Sequence, residues 1–194
     1  MKISNNNMNE EHVVLVDEQN QHRGTMEKME AHLKGELHRA FSVFVFNSHG
    51  ELMLHRRATH KYHSGGLWTN TCCSHPRPGE TLDTAVHRRL VEEMGFDTDL
   101  RYGFSFLYHQ QVGELIEHEL DHVWVGTYDG LPQPNPEEVD SWKFMAMEDV
   151  RTDMDAHPER YTVWFRLCFD LVDQYRTAGF PDQYRSQQPI KYIA

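Results

Sequence analysis

The 194-residue sequence predicts a mixed α/β domain of the α+β kind, with several antiparallel strands and a few helices packed over them. Three observations lead there. Strand-like runs recur from "HVVLV" to "SWKFMAM", several of them joined by turn signals rather than by helices. Two runs, "TLDTAVHRRLVEEMGF" and "YTVWFRLCFDLVDQYRTAG", carry apolar residues at helical spacing. No segment is repeated or compositionally simple, and a chain of this length is most simply one domain with a real core.

The elements follow in order. Residues 1–10 are read as a flexible polar segment, 11–180 as the single domain and 181–194 as a polar tail. "HVVLV" (12–16) is the first strand, and "TMEKMEAHLKG" (25–35) a short helix with Thr25 as N-cap and Gly35 near its end. "RAFSVFVFN" and "ELMLHRR" flank Ser48-His49-Gly50, a hairpin signal. The helix 81–96 has Ala85, Leu90 and Met94 at helical spacing and stops at Gly95. "YGFSFLYHQQ" and "IEHELDHVWVGTY" are two further strands joined through Gly113. Pro132, Pro134 and Pro136 mark a loop before the strand "SWKFMAM". The last helix sets Trp164, Leu167, Leu171 and Tyr175 on one face.

Nineteen basic against thirty acidic residues give a formal charge of −11. Such a chain repels nucleic acid and anionic lipid, so an anionic ligand would need a local cluster of Lys, Arg or metal. The N-terminal stretch lacks the apolar core of a signal peptide, and no apolar run approaches the ~20 residues that span a bilayer. Cys72, Cys73 and Cys168 make an odd count with no CxxC, so reduced thiols in a cytoplasmic protein are expected, without a zinc knuckle. A monomer or weak dimer is the expected state.

Chemistry concentrates in "GLWTNTCCSHPRPGE" (66–80). If 67–75 is a strand, Thr69, Thr71, Cys73 and His75 share one face, and Trp68, Asn70 and Cys72 the other. Cys73 then points into the same space as an imidazole, while Cys72 is packing. In "ELIEHELDH", Glu117 and Glu119 share a face with Leu115 and Asp121, as either a solvated strand face or a hard-cation site. His32 and His38, at the end of the short helix and the entry to the next strand, could converge on one ion. With fourteen histidines in the chain, most, including His49, His55, His60, His63, His87 and His157, are bystanders.

The helix 81–96 carries a longer pattern: Ser74, five residues, Glu80, seven residues, Arg88-Arg89-Leu90, one residue, Glu92-Glu93, one residue, Gly95-Phe96. It resembles the Nudix box G-x5-E-x7-R-E-U-x-E-E-x-G-U, with Ser74 for the leading glycine and Arg89 for the glutamate after the arginine. An ordinary amphipathic helix with i, i+4 ion pairs is the plainer alternative. Losing that glutamate removes a metal ligand, which argues against Nudix-type hydrolysis and leaves diphosphate binding open.

Together, "TNTCCSHP", "EKMEAH…LHRAFSVFVFN", "LHRRA", "RRLVEEMG", "IEHELDHV" and "YTVWF" resemble the type I isopentenyl diphosphate isomerases from about residue 12 to 175. The resemblance implies a Nudix-type mixed-sheet sandwich flanked by helices, with terminal additions, acting on isopentenyl and dimethylallyl diphosphate. It implies one divalent metal, Mn²⁺ or Mg²⁺ with Zn²⁺ as an alternative, on His32, His38, His75, Glu117 and Glu119. It makes Cys73 and Glu119 the proton carriers, Tyr108 the hydrogen-bond partner of the acid, and Trp164 the π face that stabilises a carbocation. Lys28, Arg57, Lys61 and Arg89 would bind the diphosphate, with Glu93 holding a second Mg²⁺. A Nudix-type hydrolase and a non-catalytic metal- or partner-binding domain are the alternatives.

Overall fold

The computed structural model describes residues 12–61, 63–178 and 190–193; the segment 1–10 and most of the tail 181–194 lie outside them. Along the chain come β1 (His12–Val16), β2 (His22–Glu27), α1 (Lys28–Lys34), β3 (His38–Phe46), β4 (Leu52–Arg57), β5 (Trp68–Thr69) and β6 (Cys72–Ser74). Then follow α2 (Leu82–Met94), β7 (Leu100–Val112), β8 (Leu115–Thr127), β9 (Val139–Met145), α3 (Met147–Ala156), α4 (Val163–Ala178) and β10 (Lys191–Ile193).

The main sheet runs β10-β7-β8-β3-β1-β2, with β6 on β3 and a branch in which β4 pairs β3, β5 and β9. β3 and β8 are parallel in unbroken register from His38↔Glu119 to Phe46↔Thr127, and β7 and β8 form a long antiparallel hairpin. From Ala40 to Phe46 every residue of β3 is buried, as expected for a strand covered on both faces. On one face, Phe44 and Phe46 pack with α3 (Met147, Val150, Met154) and α4 (Phe165, Cys168, Phe169, Val172). On the other, Phe41, Val43 and Val45 pack with α2 (Ala85, Val86, Leu90, Met94). The result is the expected helix-flanked sandwich. Cys72 packs with the α2 layer and Cys73 against the α4 layer, so the two neighbours part as alternation requires.

α2 ends where its stop signal stands, and it begins at a cap not read from the sequence. The Thr81 side chain accepts from Thr84 N–H, and Gly95 closes the helix in the left-handed region at φ 72°. A Cβ at Gly95 would also meet Gln133 O at 2.2 Å, so this stop packs directly on the proline loop.

Three local expectations are corrected. The first helix is capped by Glu27, whose carboxylate accepts from Met29 and Glu30 N–H. Thr25, the expected cap, lies opposite Val14 in β2, where its β-branched side chain suits a strand. The single strand expected over 67–75 is broken at Asn70-Thr71, whose side chains are consumed by bonds to Val43 O, Cys72 O and Met53 O. Alternation therefore loses phase across the break, and Trp68 packs against the same cluster as Cys73. Helix α3 and strand β10 were not anticipated; β10 pairs in parallel with β7, Ile193 opposite Tyr108.

Candidate active site

Strand β8 supplies the carboxylates. Glu117, Glu119 and Asp121 alternate onto one face and are all buried. His38 opens β3 directly opposite Glu119, His32 comes from the last turn of α1, and His75 follows β6. One ligand atom from each of His32, His38, His75 and Glu119 lies within 4.8 Å of the others. Glu117 stands beside this cluster, its Oε2 3.6 Å from His32 Nε2.

The donor set fits a divalent cation. His32 Nδ1 lies 2.7 Å from Lys28 O and His38 Nδ1 2.8 Å from Glu36 O. A carbonyl only accepts, so each Nδ1 carries the hydrogen and each Nε2 turns into the cluster. His38 Nε2 is buried without a hydrogen bond, 3.4 Å from Glu119 Oε1. Burial works against charge on His32, but Glu117 and Glu119 raise its pKa to about 9, a proton that a metal ion would displace. Burial holds His75 down to about 4, with Glu119 only partly offsetting it, so this ring is neutral. Neutral imidazoles and paired carboxylates suit Mn²⁺, Mg²⁺ or Zn²⁺ without choosing among them.

Glu119 has two further attachments. Its Oε2 accepts from Tyr108 Oη at 2.6 Å, and its Oε1 lies 2.9 Å from His75 Nε2. Burial would raise its pKa, but the His38 and His75 contacts hold it well below the ordinary value. Burial and the Glu119 charge keep Tyr108 a phenol, and hence a donor.

Cys73 lies across the site. β6 pairs with one edge of β3 and β8 with the other, through Ser42↔Cys73 and His38↔Glu119. The two residues therefore flank β3, offset along it by four positions or ~13 Å. Burial pushes the Cys73 thiol up to about 12 against the pull of Arg57, whose Nη1 lies 3.7 Å from Sγ. Trp164 lines the same cavity of about 700 Å³. Its Nε1 donates to Thr69 Oγ1 at 3.0 Å, and Arg57 Cζ lies 5.3 Å from its ring.

Lys28, Arg57, Lys61 and Arg89 all reach this cavity, joined by Arg77 and Arg88. Burial lowers the Lys28 pKa, and Lys61 and Arg89 lower it further, the mark of a concentrated positive patch. The adjacent arginines divide their work. Arg88 binds Glu80 at 2.7 and 2.8 Å, bracing the loop before α2. Arg89 donates to Glu92 at 2.8 Å, Glu93 at 2.5 Å and Glu138 at 3.0 Å. Glu93 is buried, on the cavity wall.

His63, read as a bystander, belongs to the site. Its Nε2 pairs closely with Glu117 Oε1, and its ring stacks on Trp164 at 5.6 Å and 22°. The available signal was Gly65-Gly66: a Cβ at Gly65 would meet Thr59 O at 2.6 Å, so this loop must fold back on itself. Glu138 was also missed, being one acid among several in a polar loop.

The NUDIX domain family model matches residues 36–165. Among curated proteins, the chain is 53% identical over 164 residues to "Isopentenyl-diphosphate Delta-isomerase 2" of Aromatoleum aromaticum, covering 84% of this chain and 87% of that one. It is 51% identical over 174 residues to "Isopentenyl-diphosphate Delta-isomerase" of Pectobacterium atrosepticum, covering 89% and 97%. Among solved structures, DR0079 from Deinococcus radiodurans superposes with a TM-score of 0.66 at 21% identity, over 86% of this chain and 98% of that one. A MutT NUDIX hydrolase from Burkholderia pseudomallei gives 0.55 at 18%, over 70% and 98%. These two likenesses concern the fold alone.

Proposed function

The chain belongs to the Nudix-domain family and, within it, to the isopentenyl-diphosphate Delta-isomerases, and we infer from that membership how this cavity moves a double bond. The reaction interconverts isopentenyl and dimethylallyl diphosphate. A proton added to the terminal CH₂ leaves a tertiary cation on the branched carbon. Loss of a proton from the chain methylene next to the CH₂–O then sets the new double bond, whereas loss from a methyl would regenerate the starting alkene. No hydrogen is gained or lost overall.

We assign delivery and removal of these protons to Cys73 and Glu119. What carries the assignment is their placement on opposite sides of β3, facing one cavity. Protonating an unactivated alkene needs the acid held against the carbon, and two groups are needed because one proton arrives and another departs. Tyr108 orients the Glu119 carboxyl, and the Trp164 ring faces the developing cation, worth ~2 kcal/mol when desolvated. Water beside the cation would trap it as an alcohol, so the bound substrate must displace water from the space next to Cys73 and Trp164. A divalent ion on His32, His38, His75, Glu117 and Glu119 would set the proton affinity of Glu119, and Mg²⁺ at Glu93 would neutralise the phosphates. Lys28, Arg57, Lys61 and Arg89 bind the diphosphate and so position the small apolar tail. The three free thiols favour a reducing, cytoplasmic setting, and we expect a monomer or weak dimer.

The test is exchange. Isopentenyl diphosphate incubated with the protein in D₂O, with Mg²⁺ and Mn²⁺ present, should gain deuterium at its terminal and allylic carbons by NMR. Phosphate release without exchange would instead identify a hydrolase.

A further inference from the structure

We propose that Glu138 is a specificity-determining residue: its carboxylate occupies the Lys61–Arg89 seat in the free protein and must be displaced by the ligand's phosphates, a role that rests on the diphosphate reading of this cluster.

One Glu138 oxygen pairs closely with Lys61 Nζ and the other accepts from Arg89 Nη2 at 3.0 Å. The carboxylate thus bridges two cations from different parts of the chain, as two phosphate oxygens would. Burial would raise the Glu138 pKa, but Arg89 and Lys61 depress it to about 2, so it is an anion at any working pH. Glu92 and Glu93 also meet Arg89, but they sit three and four residues along the same helix and are built into it. Among the described residues, Glu138 is the carboxylate that joins Lys61 to Arg89.

Its backbone is pinned. Glu138 N–H donates to Asn135 O at 2.9 Å, and Ala58 N–H donates to Glu138 O at 2.9 Å. The seat is therefore cleared by rotating a side chain that is 21% exposed, with no loop opening required. A monophosphate brings a single anionic group to replace a bridge across two cations. A diphosphate brings two groups and more charge, so it overcomes the internal competitor more readily. Glu138 thereby lowers affinity for every anion and lowers it most for the smaller ones.

The test is calorimetric titration of the full chain, with no added metal, using inorganic pyrophosphate and inorganic phosphate as probes. Glu138→Gln keeps the size and one acceptor oxygen but removes the charge. It should bind pyrophosphate about three- to tenfold tighter, the scale of a partly screened ion pair. Phosphate should gain at least as much, narrowing the preference between the two. Glu138→Ala is the second variant, carrying the test if the first fails to fold, and it should move in the same direction. Unchanged or weaker pyrophosphate binding in a folded variant overturns the proposal. Failure of the wild-type chain to bind pyrophosphate both without metal and in a parallel titration with Mg²⁺ would instead overturn the diphosphate reading beneath it.

Discussion

Cys72 and Cys73 are neighbours in sequence and opposites in environment, so replacing each by alanine is a matched pair of experiments. Cys72 is fully buried against α2, and Cys72→Ala leaves a small void there. Losing one buried side-chain atom costs about 1–2 kcal/mol, or about 3–6 °C in Tm for a domain of this size. Turnover at a temperature where both proteins are folded should stay within about threefold, because a shift of that size in the α2 layer touches no reacting group. Cys73 is only half-buried and its Sγ has one weak contact, with Arg57 at 3.7 Å. Cys73→Ala should therefore cost under about 1 kcal/mol of stability. Its rate should fall about 10²–10⁴-fold, the span expected for removing a positioned acid or base. Deuterium incorporation from D₂O by NMR reads turnover, and thermal melts read the fold. Retained turnover in Cys73→Ala removes the thiol from the chemistry. Equal inactivation of Cys72→Ala in a folded protein refutes the division of faces.

Glu119→Gln keeps one oxygen for a metal but cannot carry the proton. Its exchange rate should drop about 10²–10⁴-fold while bound metal, read by elemental analysis, falls far less. Trp164→Phe loses the 3.0 Å bond to Thr69 and the larger π face; turnover should fall about ten- to thirtyfold, with a Tm loss of a few degrees. Glu80 concerns pH. Despite burial, its bonds from Arg88 and Arg77 N–H lower its pKa below the ordinary 4.5, so it stabilises the fold above that value. That contribution is lost as pH falls through the depressed pKa, and Glu80→Gln should flatten the acid side of a Tm-against-pH curve. An unchanged slope would show that the Glu80–Arg88 contact contributes nothing.

The parts of the site legible in the sequence are those written in local periodicity. Strict alternation in β8 puts Glu117 and Glu119 on one face, and it survives because β8 is a long strand paired along both edges. The stop signal of α2 holds because Gly95 acts within one turn of the helix. His63 was not legible: its role depends on Trp164, a hundred residues later in the chain, and on a loop folded by Gly65. The break at Asn70-Thr71 was hidden likewise, since the groups that capture these side chains lie on β3 and β4. β10 draws its stability from pairing with β7, and three residues carry too little pattern to announce a strand.

Arg89 shows why a scaffold shared with a hydrolase need not hydrolyse. The box pattern places a carboxylate there, which with Glu92, Glu93 and the preceding arginine would leave a charge of −2. With Arg89 in its place, two arginines face Glu92 and Glu93 and that balance is neutral. The Arg89 guanidinium pairs with both remaining carboxylates. It offsets the surplus of negative charge that in a hydrolase gathers metal and activates water, while leaving Glu93 as the proposed holder of one Mg²⁺. Arg89 also lines the cavity, where it adds to the positive patch. On the proposed reading, this one substitution exchanges a hydrolytic metal ligand for a cation that grips the diphosphate. The phosphoanhydride is, on that same reading, a handle, and the reaction lies between Cys73 and Glu119.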